Sequence, residues 1–182
     1  MKKNLKKSVI AMLLVGGVTA GHANDVCKIQ PGSVTCGKGT VSNITGNGMV
    51  TINGTTVSGS AVINGLLSAT DANFSSLEVN GSANLIQSTI NELSEIKGSL
   101  TASSTKFERG LTVYSSSTRF INSKVNGSLH LPHTEPQKQI VYLDNFSEVT
   151  GDIVFDDGQG EVVIRGKSKI GGKVVGGHTS LK

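Results

Sequence analysis

The chain repeats one short pattern in which a glycine lies between apolar residues at alternate positions. The pattern apolar-x-Gly-x-apolar-x-apolar occurs six times in full and once in truncated form. Its glycines are Gly59, Gly65, Gly81, Gly98, Gly127, Gly151 and Gly172. About one match is expected by chance in a chain of this composition, so the pattern reflects the architecture.

The repeat has the period of a β-strand, and its glycine stands where a side chain would otherwise point inward. A residue without Cβ suits a tight corner between strands. The main copies begin at residues 57, 79, 96, 125, 149 and 170, and such intervals match single solenoid turns with loops of varying size. We predict an all-β, single-domain parallel β-helix (β-solenoid) of about seven coils. An antiparallel β-sandwich is the alternative, but it does not explain why glycine always has the same position relative to the apolar residues.

Small aliphatic residues fill the predicted interior, with Phe74, Phe107, Phe120 and Phe155 as occasional larger fillers. Asn-Gly dipeptides recur, as at 47–48 and 64–65, and favour sharp turns. The best loop candidates are residues 115–117 and 132–138. Residues 86–93 have a short helical alternative through Ile86, Ile90 and Leu93.

Residues 1–23 have the layout of a secretory signal peptide, with cleavage predicted after Ala23. An uncleaved anchor is disfavoured, because the apolar run of 9–18 is short of the roughly 20 residues that span a bilayer. We therefore expect an exported protein, periplasmic or extracellular, with no transmembrane segment in the mature chain. The four lysines of the leader account for the net charge of +4. A neutral mature chain argues against nucleic acid as a partner.

Export makes the two cysteines informative. Cys27 and Cys36 flank Pro31-Gly32 symmetrically, so a hairpin turning there would bring the sulfurs together. Oxidising compartments favour a disulfide over the alternative of a metal or redox pair. The predicted organisation is a signal peptide over 1–23, a disulfide hairpin cap over 24–40, a solenoid over 41–177 and a tail over 178–182.

The sequence contains no Ser-His-Asp catalytic motif, no phosphate-binding loop, no dinucleotide-binding fingerprint and no zinc-protease motif. We therefore expect that the protein is not an enzyme and binds no cofactor. His130 and His133 have a metal-site alternative, but a surface loop explains them better. The acidic residues Asp152, Asp156, Asp157 and Glu161 lack the alternate-position oxygens of a calcium loop, so an ordinary turn is favoured there.

Four basic residues near the end form the main candidate site. Arg165, Lys167, Lys169 and Lys173 all have odd numbers, so one continuous strand would project them from a single outward face. Such a face predicts binding to anionic glycan, lipid headgroups or an acidic partner. The alternative is that these cations only protect an edge strand from unwanted pairing.

The runs VNGSL at 125–129, VTGDIV at 149–154 and IGGKVVG at 170–176 resemble the bactofilins, a family of bacterial polymer-forming proteins. The resemblance covers about residues 57–177. It implies a right-handed β-helix and end-to-end polymerisation without nucleotide. The predicted leader and disulfide are departures from that family.

These observations predict a non-catalytic exported bacterial solenoid with a structural or adhesive role at the cell envelope. Its expected partners are other copies of itself or envelope glycan. One alternative is a bactofilin-like self-polymerising scaffold. The other is a β-helix that binds or cleaves polysaccharide in a groove lined by Asp152, Asp156 and Arg165.

Overall fold

The computed structural model shows a parallel β-solenoid with three sides, which we name faces A, B and C in the order the chain visits them. It describes residues 18–19, 26–134 and 138–182. Face A contains β3 (Ser33–Cys36), the ends of β5 (Asn43–Asn53), β6 (Thr55–Thr70) and β7 (Asn73–Ile86), and then β10 (Leu100–Ser103), β13 (Ser117–Ile121), β16 (Ile140–Asp144), β19 (Gly160–Ile164) and β22 (Gly177–Leu181).

The other two faces are built in the same way. Face B contains β4 (Gly39–Val41), the starts of β6 and β7, β8 (Thr89–Ile90), β11 (Lys106–Phe107), β14 (Lys124–Val125), β17 (Glu148–Val149) and β20 (Lys169–Ile170). Face C contains the start of β5, the middle of β6 and β7, β9 (Ser94–Lys97), β12 (Leu111–Tyr114), β15 (Leu129–Leu131), β18 (Ile153–Phe155) and β21 (Val174–Val175).

Every ladder between coils is parallel, which confirms the solenoid and excludes the sandwich. Within the described residues, face A has nine rungs, so the solenoid has about nine coils rather than the seven predicted. The count fell short because two coils contain no copy of the glycine motif, namely the coil of β4 with the start of β5 and the coil of β11 with β12. The motif also marks two different corners. Gly65, Gly81 and Gly98 lie between faces C and A, whereas Gly59, Gly127, Gly151 and Gly172 lie between faces B and C.

The interior is a set of aliphatic and aromatic columns that run along the solenoid axis. On face B, one column contains Val41, Val57, Phe74, Ile90, Phe107, Val125 and Val149, all at most 1% exposed. The four phenylalanines predicted as fillers are all buried, and the rings of Phe107 and Phe120 meet edge to face at 6.2 Å. Burial of side chains in register stabilises each coil against the next.

The corner between faces A and B carries a buried hydroxyl ladder that the sequence reading missed. The backbone N–H of Thr105 donates to the hydroxyl of Ser123 at 3.0 Å, and the N–H of Ser123 donates to the hydroxyl of Ser147 at 3.2 Å. Each hydroxyl also donates to a carbonyl of its own coil, as Ser123 does to Ile121 at 2.9 Å. The ladder satisfies backbone groups that the turn removes from the sheet.

The N-terminal hairpin forms as predicted. β2 (Cys27–Gln30) pairs antiparallel with β3 in the register Cys27↔Cys36, and the two cysteines form a disulfide. The hairpin's second strand is already the first rung of face A, and β22 makes residues 177–181 part of the solenoid rather than a tail.

Little of the predicted leader is described. Its β1 (Val18–Thr19) pairs antiparallel with β5, and the remaining residues 1–17 and 20–23 lie outside the described part. The signal peptide therefore stays a prediction.

The loop and helix expectations have clear outcomes. Residues 115–116 connect β12 to β13, whereas Ser117 of the predicted loop already begins β13. The long connection between β15 and β16 contains the other predicted loop, of which 135–137 lie outside the described residues. No helix forms over 86–93, where β8 instead continues the ladder of face B.

Candidate anion-binding surface

The four predicted cations do not lie on one strand. Arg165 follows β19 on face A, Lys167 lies at the next corner, Lys169 begins β20 on face B, and Lys173 lies between faces B and C. The prediction of a single outward face from odd-numbered positions was wrong, because the chain turns at Gly166, which has a φ of 62°. Alternation ends at a corner, so the four side chains are distributed around the solenoid.

Arg165 belongs to a compact cluster on face A with Arg119, Tyr142 and Asp144. We name these four residues the arginine–tyrosine surface. The guanidinium carbons of Arg119 and Arg165 lie 5.7 Å and 5.4 Å from the centre of the Tyr142 ring. Both distances are within the range of cation–π attraction.

Asp144 holds Arg119 and lies close to Arg165. Its Oδ2 accepts hydrogen bonds from Nε and NH2 of Arg119, both at 2.8 Å, and its Oδ1 lies 3.7 Å from NH1 of Arg165. The carboxylate is 8% exposed, whereas the Arg119 and Arg165 side chains are 47% and 38% exposed. A buried acid thus holds the Arg119 guanidinium group by hydrogen bonds and attracts that of Arg165, while both groups remain open to solvent.

The register of the sheet assembles this surface. Tyr142 in β16 pairs with Arg119 in β13 and with Val163 in β19, and all three are outward positions. Val163 is nevertheless buried, so neighbouring side chains cover this outward position. Asp144 lies two positions after Tyr142 and therefore on the same outward side.

A second cationic group adjoins this surface around the corner on face B. Glu148 lies between Lys124 at 2.9 Å and Lys169 at 3.1 Å. The hydrogen bond from Lys124, followed by that from Lys169, lowers the pKa of the Glu148 carboxyl. At the corner itself, the ammonium of Lys167 lies 5.7 Å from the centre of the exposed Phe146 ring.

The arginine–tyrosine surface suits an acidic ligand with an apolar side. Two guanidinium groups against one carboxylate leave it a net positive charge, and guanidinium matches carboxylate and phosphate geometry. The half-buried Tyr142 ring lies against both guanidinium groups and adds apolar area to the surface. Charged donors beside an aromatic ring are what an acidic sugar needs, because its ring has both polar and apolar faces.

The other sequence candidates are separate from this surface. His130 contacts Asp156 at 2.8 Å, and His133 lies 3.8 Å from Asp157. Glu161 accepts hydrogen bonds from Lys138 at 2.8 Å and from Ser180 at 2.9 Å. Within the described part of the chain, no group of three or more His, Cys, Asp or Glu side chains is arranged to hold a metal ion.

The predicted groove of Asp152, Asp156 and Arg165 does not form. Asp152 lies at the corner between faces B and C, where its Oδ1 accepts the backbone N–H of Lys173 at 2.7 Å. Asp156 follows β18 at the corner between faces C and A, and Arg165 lies at the far end of face A. The three residues are thus at different corners of the solenoid.

Comparisons of the chain with models of protein families, with curated proteins and with solved structures find no match. Across residues 18–19, 26–134 and 138–182, no helix is long and apolar enough to cross a membrane. The architecture is that of a β-helical protein, and the specific resemblance to bactofilins stays a prediction.

The sequence reading missed Arg119, Tyr142 and Asp144. They are distant in sequence, and ordinary short motifs do not connect them. Aligning the inward residues Phe120 and Leu143, which are in register, would have found them, since Arg119 and Tyr142 precede these residues directly.

Proposed function

We propose that this chain is an exported, non-catalytic bacterial β-solenoid with a structural or adhesive role at the cell envelope, where it binds acidic glycan. The observation that carries the proposal is the Tyr142 ring with the Arg119 and Arg165 guanidinium groups beside it. A rigid solenoid presents these groups in a fixed geometry, which lowers the entropy lost on binding.

Export is supported by the predicted leader and by the Cys27–Cys36 disulfide. Disulfides persist in the periplasm and outside the cell, and they are rare in a reducing cytosol. A periplasmic or extracellular location also brings the protein to envelope polysaccharides.

Affinity electrophoresis tests the glycan proposal with protein purified after export. We expect retardation in gels that contain polygalacturonate, none in gels that contain neutral dextran, and weaker retardation at higher salt. Arg119→Gln should weaken binding by about tenfold, since a hydrogen bond to a charged group contributes roughly 1.5–3 kcal/mol. Tyr142→Ala should weaken binding by a similar factor, because it removes the ring against which both guanidinium groups lie.

The chain offers matched controls on other faces. Tyr114→Ala removes the other tyrosine, and Arg109→Gln removes an arginine that is paired with Glu92 at 3.0 Å. Equal losses in the controls and the site variants, or no retardation of the unaltered protein, would contradict the proposal. The viscosity of the polygalacturonate solution should stay constant, and a decline would show cleavage instead of binding.

A further inference from the structure

A notch interrupts the corner between faces B and C. From the second coil on, most coils place three residues between the inward columns of these faces, as residues 91–93 do between Ile90 and Ser94. The β7 coil has only Ser75 and Ser76 between Phe74 and Leu77. The shorter corner leaves a cavity of about 370 Å³, beside which Leu93 is 69% exposed.

A protrusion interrupts the corner between faces A and B. Earlier coils place two residues there, as 122–123 lie between Ile121 and Lys124. Three residues lie between Asp144 and Glu148, because Phe146 is added. Phe146 has a φ of 65° and is 65% exposed, so an apolar ring projects from the solenoid.

The charges around the two features are opposite. Lys167, one coil after Phe146, lies over its ring. The notch is lined by the carboxylates of Glu78 and Glu95, which lie 3.5 Å and 3.1 Å from the single ammonium group of Lys97. Cations therefore accompany the protruding ring, and excess carboxylate accompanies the cavity.

We propose that Phe146 of one copy inserts into the notch of a second copy, with Lys167 against Glu95. The cavity is large enough for one phenyl ring, and Leu77 and Leu93 supply apolar walls. Lys167 follows Phe146 by one coil, and Glu95 follows Glu78 by one coil, in register. The two solenoids would therefore lie side by side in the same direction.

This contact joins different surfaces of the two copies, so it does not close into a dimer. The notch adjoins the face B rung of Phe74, and Phe146 adjoins the rung of Val149, four rungs later. At about 4.8 Å per coil, each copy would be displaced by roughly 19 Å. A heterologous contact of this kind propagates into an open, staggered assembly.

Sedimentation velocity over a concentration series at low salt tests the proposal with the full exported protein. We expect concentration-dependent association that Phe146→Ser weakens by at least about tenfold, because buried aromatic anchors dominate small interfaces. Leu66→Ser is the matched control, since Leu66 is an exposed apolar residue on face A, away from both features.

A charge reversal gives a second readout. Lys167→Glu and Glu95→Lys should each weaken association, and the double variant should restore it, with circular dichroism confirming that all variants fold. Lys173→Glu is the control for a general loss of positive charge. A monomer at every concentration, association insensitive to Phe146→Ser, or a double variant as weak as the single ones would each overturn the proposal. Glycan retardation depends on Tyr142 and Arg119, so failure here leaves that proposal intact.

Discussion

Replacing Gly81 by alanine tests whether a residue without a Cβ is needed where two coils stack closely. Gly81 has a φ of 145°, and a Cβ there would overlap the carbonyl oxygen of Gly65 in the preceding coil. The backbone strain costs about 1–3 kcal/mol. Overpacking against a neighbouring main chain that cannot rotate away adds about 1–3 kcal/mol. We expect Gly81→Ala to lower the free energy of unfolding by about 4 kcal/mol.

Two other glycines separate these contributions. Gly158 has a φ of 73°, but a Cβ would meet no atom within 4 Å, so Gly158→Ala should cost only the strain, about 1–2 kcal/mol. Gly37 has no positive φ, and its nearest contact would be 3.9 Å away, so Gly37→Ala should change stability by less than about 0.5 kcal/mol.

Thermal melts followed by circular dichroism provide the measurement. At about 2–4 °C per kcal/mol for a chain of this size, Gly81→Ala should lower Tm by roughly 8–16 °C. If Gly81→Ala and Gly158→Ala have the same effect, close contact between coils is not the reason for glycine at this corner.

Three further predictions concern the hydroxyl ladder, the cap and acid stability. Ser123→Ala leaves the buried N–H of Thr105 without its acceptor, so urea unfolding should show a loss of about 1–3 kcal/mol; a loss below 0.5 kcal/mol would refute this. Removing the disulfide by Cys27→Ser with Cys36→Ser should cost about 2–3 kcal/mol in the same assay, and unchanged stability would show that the hairpin holds without it. Because its lysine partners lower the pKa of Glu148, the stability from these pairs is present above the ordinary value of 4.5 and is lost as the pH falls through the lowered pKa. Glu148→Gln should therefore reduce the acid-induced fall of the urea midpoint, and an unchanged fall would contradict this.

The solenoid could be predicted from the sequence because the motif that specifies each corner occupies only a few consecutive residues. A glycine such as Gly81 and the inward residues Val79 and Ala83 lie within five positions, so strand, corner and core can be read together. Cys27 and Cys36 were equally accessible, since one tight turn relates them. The number of coils was harder to predict, because the coil of β11 and β12 contains no copy of the motif: Gly110 follows the inward Phe107 by three positions instead of two.

The candidate site was harder to predict because it depends on register between coils. Arg119 and Asp144 are 25 residues apart, and the long connection between β15 and β16 changes the coil length between them. Arg165 was found, but its neighbours were assigned by parity along the chain rather than by stacking across it. Neighbouring side chains on a solenoid surface come from successive coils. A surface site is therefore found by aligning the coils with one another, and not by following one strand.

Deleting Phe146 tests whether a corner of the solenoid can lose one residue without damage to the core. The inward residues Leu143 on face A and Val125 and Val149 on face B are fixed by packing in the core, and the corner between Asp144 and Glu148 is one residue longer than the corner of the coil before it. Removal of this one residue restores the two-residue corner of residues 122–123, so the variant should keep its parallel ladders and lose at most about 1 kcal/mol. Circular dichroism and urea unfolding would check the fold, and sedimentation velocity should show the weak association expected of Phe146→Ser. A deletion variant that unfolds would mean that the added residue is part of the coil's structure, and a folded variant that still associates would remove Phe146 from the interface.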